Sequence, residues 1–264
     1  MEPPAWIDEG EAADLRFGRA DPPAARAALE GLLPGVDVVI QPAAHRAKKL
    51  LVADMDSTMI TIECIDELAD YAGIKAEIAA VTERAMRGEL DFEAALDARV
   101  ALLEGLEEVA IERCHEERVR LTPGARTLVR TMAAHGARSV LVSGGFTVFA
   151  DRVAAAIGFD RAVSNTLEIA GGRLLGRVAR PIVGAATKRE VLLAETAALG
   201  LAPAQALAIG DGANDIPMIE EAGLGIAYHA KPRTAAAAPA RIDHGDLHAV
   251  LWAQGYARAQ WIID

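Results

Sequence analysis

The spacing of apolar residues sorts the chain into three stretches. In residues 1–47 the pattern is weak. Pro22-Pro23 can open a helix over Ala24–Leu33 that Gly35 ends, and Val36–Ile40 has the spacing of a short strand. The run Leu50-Leu51-Val52-Ala53, bounded by Lys48-Lys49, predicts a buried parallel strand over Lys48–Asp56. Residues 61–120 then show helical spacing only. Thr61–Tyr71 and Ala76–Arg87 are separated by Gly73, and Phe92–Glu104 follows a capping Asp91. Glu107–Arg118 follows Gly105. From Leu121 the texture alternates. Pro123-Gly124 starts a helix to His135, Ser139–Val142 is a strand and Thr147–Ile157 a helix. Val163–Arg180 folds as a hairpin about Gly171-Gly172, and Thr187–Leu199 is a helix. Ala206–Ile209 is a strand, Asn214–Ala222 a helix and Leu224–Tyr228 a strand, and the tail adds a strand–helix pair.

Strands alternating with helices predict an α/β fold with a doubly wound parallel sheet, here with a small helical cap inserted after the first core strand. The domains expected are an N-terminal extension (1–47), a core (48–62 and 121–264) and the cap (63–120). The extension is too small for a substantial core of its own. It reads as a dimerisation arm, which would make the chain a homodimer, as a reduced regulatory module, or as packing for the core.

Composition narrows the class. Hydrophobic residues make up 52% and aromatic ones 4%, so the core is built from Ala, Leu, Val and Ile. A net charge of −11 opposes nucleic-acid binding and obliges any anionic substrate to find local cations or a metal. No apolar run approaches the ~20 residues that span a bilayer, and the acidic start of the chain lacks a secretory pattern. Cys64 and Cys114 form no C-x-x-C and are read as buried thiols of a reducing compartment. A cytoplasmic protein is expected.

Candidate chemistry lies where the predicted strands end. Asp54 and Asp56, two residues apart on a strand, emerge on one side at the edge where open α/β sheets bind ligands. Two adjacent carboxylates need a cation or a shared proton, so a metal site, an acid/base pair or both are indicated. Ser143-Gly144-Gly145 and Gly210-Asp211-Gly212 end two further strands on the same edge. Lys188 falls in the first turn of a helix, where the macrodipole does not favour it; it is either a solvated lysine or part of a site. A calcium loop at Asp54-x-Asp56-x-Thr58 fails because Met59 and Ile65 stand where Gly and Glu are needed. A dinucleotide fingerprint at Gly210-x-Gly212 fails at Asp215. The remaining set suits phosphoryl chemistry: a carboxylate nucleophile, a proton donor, a hard cation and phosphate-holding groups.

Asp54-Met55-Asp56-Ser57-Thr58, Ser143-Gly144-Gly145-Phe146, Lys188 and Gly210-Asp211-Gly212-Ala213-Asn214-Asp215, in that order, resemble the four motifs of the haloacid-dehalogenase superfamily. From about Lys48 to about Leu251 the likeness is to its phosphoserine phosphatases. The resemblance implies that Asp54 is the nucleophile and that Asp56 moves protons. It implies Mg²⁺ on the Asp54 and Asp211 carboxylates and the Asp56 carbonyl. It places phosphate on Ser143, Gly144 and Lys188, with Asn214 and Asp215 supporting the metal or the lysine. In the cap, Phe92, Leu96, Arg99 and Leu103 share one helix face, and a buried guanidinium there needs an anionic partner or must reach the rim. The resemblance gives that partner as the substrate carboxylate, assigns the ammonium to Glu63, and makes Met86 and Phe92 apolar lid residues. By residue type alone, Glu63 is a first-turn acid and Met86 and Phe92 are core.

The expected reaction is hydrolysis of O-phospho-L-serine, the last step of serine biosynthesis in that family. Transfer to a small alcohol such as homoserine, or action on another small phosphomonoester, keeps the same residues. A non-enzymatic receiver domain also joins Asp, hydroxyl, Lys and Mg²⁺, but needs neither a proton donor two residues on nor a cap of about 60 residues.

Overall fold

A computed structural model describes residues 4–18, 21–87 and 89–263, and of Met86 the backbone alone. The extension opens with an antiparallel pair, β1 (Ala5–Asp8) and β2 (Ala12–Asp14), and helix α1 (Pro22–Leu29), capped by Asp21. Strand β3 (Leu50–Ala53) starts the core. Four helices follow: α2 (Cys64–Ala72), α3 (Lys75–Met86), α4 (Phe92–Ala101) and α5 (Glu108–Arg118). The chain then runs through α6 (Ala125–Ala134), β4 (Arg138–Phe146), α7 (Thr147–Ile157), β5 (Arg161–Asn165), β6 (Leu167–Ala170) and β7 (Arg173–Val178). It continues with α8 (Ala185–Ala198), β8 (Ala206–Gly210), α9 (Ile216–Glu221), β9 (Leu224–Tyr228), α10 (Pro232–Ala237), β10 (Ala240–Ile242) and α11 (His248–Ala253).

Six strands form one parallel sheet in the order β10-β9-β8-β3-β4-β5. The run at β3 is continuous because both faces are covered. Leu51 and Ala53 join one apolar cluster with Leu128, Phe149 and Leu251, whereas Leu50 and Val52 join another with Leu192 and Ile219. The expected α/β fold with a helical insert after the first core strand is therefore what forms. The insert joins the core through a short neck, where Ile60 bridges Leu121 and the Thr61 and Thr122 amides donate to the Arg120 and Met59 carbonyls at 3.0 Å.

Several expectations need correction. Val36–Ile40 is not a strand. Its polar groups serve the C-terminal region instead: the Asp37 carboxylate accepts from the Asp243 and Gly245 amides at 2.8 and 2.7 Å. Strand β5, an edge strand, takes the first residues of the expected Val163–Arg180 hairpin, and the true hairpin is β6–β7. Helix α1 stops at Leu29, short of Leu33, and the β1–β2 pair was unforeseen. Asn214 lies in a 3-10 turn (Ala213–Asp215) ahead of α9 rather than within a helix.

Candidate active site

Just beyond β3 the chain turns sharply. The Met55 carbonyl accepts from the Thr58, Met59 and Ile60 amides, and Ser57 sits at φ 54°, a left-handed value uncommon for a residue with a side chain. This turn leaves Asp54 and Asp56 facing one pocket. Ser143, Gly144, Gly145, Asp211, Gly212, Asn214 and Lys231 line it from the core, Asp56 and Glu63 from the turn and the start of α2, and Phe92, Leu96 and Arg99 from α4. The parallel sheet thus delivers its strand ends to one edge, as the chain pattern required.

Lys188 is fully buried, which excludes a solvated role. Its Nζ lies 2.6 Å from Asp54 Oδ1 and 2.6 Å from Asp215 Oδ1. Burial acts to lower its pKa, but the Asp215 and Asp54 carboxylates raise it above the ordinary value, so the group stays cationic. Asp215 also accepts from the Gly212 amide at 2.9 Å, which fixes the loop after β8. Ser143 Oγ accepts from the Gly145 amide at 2.8 Å. A Cβ on Gly145 would lie 2.9 Å from Asp56 Oδ2 and 3.0 Å from Ser143 Oγ, so this loop approaches Asp56 as closely as it does only without a side chain there.

Asp56 and Asp54 sit in different surroundings. Burial, then the charges of Glu63 and Asp54, push the Asp56 carboxyl up to about 8, against the bond its Oδ1 accepts from the Cys64 amide at 3.3 Å. A carboxyl so placed holds its proton at neutral pH. Asp54 instead contacts an ammonium. Glu63, also raised by burial, accepts from Ser57 Oγ at 2.8 Å. It occupies the N-cap position before α2 rather than the first turn, and its side chain makes no capping bond there.

Arg99 is half-buried on the pocket wall. Its Nε donates to the Ala95 carbonyl at 3.2 Å, and among the described residues it forms no ion pair. Burial lowers its pKa, with only the more distant Asp66 and Glu63 opposing. Phe92, on the same face, is partly exposed and leans over Gly144, while Leu103 lies past the end of α4, which stops at Ala101 short of the expected Glu104, and is buried without lining the pocket. The Met86 side chain lies outside the described residues.

The carboxylates of Asp54, Asp211 and Asp215 offer oxygens all within 4.8 Å of one another, all three residues being buried. Besides Lys188, the nearby cation is Lys231, whose Nζ lies 3.3 Å from Asp211 Oδ2. Three carboxylates thus face two ammonium groups in an all-oxygen donor set, and burial and Asp54 disfavour the ionised forms of Asp211 and Asp215 unless a cation offsets them. That set fits a hard metal ion.

Asp215, expected to support the metal or the lysine, pairs with Lys188 and stands in the carboxylate trio. One member escaped the sequence: Lys231 follows β9, whose C-terminal end reaches the same edge, and that strand end was the signal.

The comparisons agree with this geometry. A family model for haloacid dehalogenase-like hydrolases matches residues 51–220. The phosphoserine phosphatase of Albidiferax ferrireducens is 50% identical over 208 residues, 77% of this chain and 88% of that protein. The structure of a probable phosphoserine phosphatase from Vibrio cholerae, unliganded, superposes with a TM-score of 0.75 at 40% identity, covering 90% of this chain and 72% of that one. A phospho-aspartyl intermediate analogue of phosphoserine phosphatase gives 0.72 at 36% identity, over 78% and 98%. Four motifs on one sheet edge, the helical insert above them and a match over most of the core place this chain in the haloacid dehalogenase-like hydrolase family.

Proposed function

We propose that this chain is a Mg²⁺-dependent phosphatase that hydrolyses O-phospho-L-serine to L-serine and phosphate. The observation that carries the reading is a single pocket that joins two sets of groups. Asp54, Asp56, Ser143 and Gly144 line it, with Lys188 buried against Asp54. Arg99, half-buried without an ion-pair partner among the described residues, and Glu63, beside Asp56, line it too. A small ester that carries a phosphate, an α-carboxylate and an ammonium matches these groups. The similar phosphoserine phosphatases support that choice.

In this reading an Asp54 carboxylate oxygen attacks phosphorus while the bond to the seryl oxygen breaks. Asp56, whose raised pKa keeps it protonated, donates its proton to that leaving oxygen. Serine departs and Asp54 carries the phosphoryl group. Asp56, now a carboxylate, takes a proton from water as the water oxygen attacks phosphorus. The bond to Asp54 breaks and phosphate leaves. Ser143, the Gly144 amide and Lys188 hold the phosphate oxygens through both steps. Asp54 and Asp211, with the Asp56 carbonyl, would hold Mg²⁺, which neutralises phosphate charge when bound; Asn214 and Asp215 support that side. Arg99 grips the carboxylate, Glu63 meets the ammonium, and Phe92 closes the apolar lid. The cap is taken as 63–120, and residues 1–47 as an extension of the core. The buried free thiols Cys64 and Cys114 support a cytoplasmic setting.

Acid quenching during turnover of ³²P-phosphoserine tests this mechanism. Label should appear as an acyl phosphate on the peptide carrying Asp54 and vanish in Asp54→Asn. Turnover with no label at Asp54 would overturn the assignment. If added homoserine drew off the label faster than water, the chain would be a phosphotransferase.

A further inference from the structure

Phe92, the first residue of α4, rests its ring on two glycines from separate core segments, Gly144 in the irregular end of β4 and Gly184 in the loop before α8. A Cβ on Gly144 would meet Phe92 Cζ at 3.2 Å, and one on Gly184 would meet Phe92 Cδ1 and Cε1 at 3.3 Å. Gly184 has φ −130°, which residues with side chains adopt, so its dihedrals do not demand glycine. What both positions provide is the space a Cβ would take from the ring.

The two segments are held together by Asn165, the last residue of β5, only 1% exposed. Its Nδ2 donates to the Gly144 carbonyl at 2.9 Å and to the Val183 carbonyl at 3.2 Å, and its Oδ1 accepts from the Val183 amide at 2.7 Å. Both donor hydrogens and the acceptor are thus used inside the protein. An aspartate of the same shape would set a carboxylate against two carbonyl oxygens. One segment follows Ser143. The other opens α8, where the Gly184 carbonyl accepts from the Lys188 amide at 3.0 Å. Asn165 itself does not line the pocket.

We propose that Asn165 is a positioning residue: by holding Gly144 and Val183, next to Gly184, it sets the separation that seats the Phe92 ring, and so ties the placement of α4 to the segments that carry Ser143 and Lys188. The phosphoserine reading enters only in the choice of substrate for the test.

The test is a double-mutant cycle between Gly184→Ala and Phe92→Ala, read by KM for phosphoserine and by hydrogen exchange of the first α4 amides in the ligand-free protein. Gly184→Ala should raise KM about ten-fold and speed that exchange. In the Phe92→Ala background the same change should shift KM by less than about two-fold. Equal effects in both backgrounds would overturn the seat. For Asn165, the side-chain amide protons should be protected from exchange in the unaltered protein and remain so in Phe92→Ala; free exchange in the unaltered protein would overturn the bracket. Asn165→Asp, checked for folding by its thermal melt, should speed α4 exchange as Gly184→Ala does, and a folded variant with unchanged exchange would also overturn it. A wild-type chain inert on phosphoserine would contradict the function, while the exchange measurements would still judge the seat.

Discussion

At the residue scale, two carboxylates separated by one residue do different work because their neighbours differ. Asp54 lies against Lys188, while Asp56 is buried beside Glu63 and held near neutrality. Asp56→Asn should lower kcat at least about a hundred-fold, the usual worth of a positioned acid/base, while calorimetry still detects Mg²⁺ binding. The same variant reports the pKa. The folded-state value of about 8 lies above the ordinary aspartate value of 3.8, so in metal-free protein the Asp56 contribution to stability is complete below ~4 and is lost as pH rises through ~8. The thermal midpoint of Asp56→Asn relative to wild type, in chelator, should therefore climb between pH 4 and 8; a flat difference would contradict the burial argument. Arg99→Ala should reduce kcat/KM for phosphoserine by about 10–100-fold and for an aryl phosphate by less than about three-fold. Equal losses would remove Arg99 from substrate recognition. That Asp54 and Asp56 share a side was read from strand periodicity, but β3 ends at Ala53, short of the expected Asp56, and the turn beyond it brings the two to one pocket. The Lys188–Asp215 pair was legible only through the resemblance, because it joins two different elements across the sheet edge.

At the scale of elements, legibility followed burial. Thr147–Ile157 and Leu224–Tyr228 form as the pattern predicts, since apolar spacing matches a buried face or a strand covered on both sides. Strand β5 was missed because only its last residue is buried, so it carries no apolar run. Val36–Ile40 misled because its spacing imitates a strand while Asp37 is committed to the turn at 243–245. Helix α4 was read correctly at its start: Asp91 caps it, accepting from the Ala94 amide at 2.8 Å. Asp91→Ala should cost about 1 kcal/mol in urea unfolding, as lost N-caps do. It should also loosen the turn that carries Phe92, seen as faster amide exchange there. Unchanged stability would mean the cap contributes nothing.

At the scale of the molecule, a chain of net charge −11 places Lys231 and Arg99 on one pocket and buries Lys188 against its Asp54, which is how an acidic protein can receive a doubly anionic ester. The extension works elsewhere. Asp8 accepts from Trp252 Nε1 and the Arg258 amide at 2.5 and 2.9 Å, Arg46 pairs with Asp14, and no described residue before Asp54 lines the pocket. Deleting residues 1–41 should lower the thermal midpoint by about 5 °C or more while leaving KM within about two-fold. A large rise in KM would assign the extension a part in the site. The central claim is tested most directly by steady-state hydrolysis of a phosphomonoester panel with Mg²⁺ and with chelator. The account predicts that O-phospho-L-serine exceeds the other esters in kcat/KM by at least about a hundred-fold and that chelator abolishes turnover. Equal rates across the panel, or undiminished turnover in chelator, would contradict it.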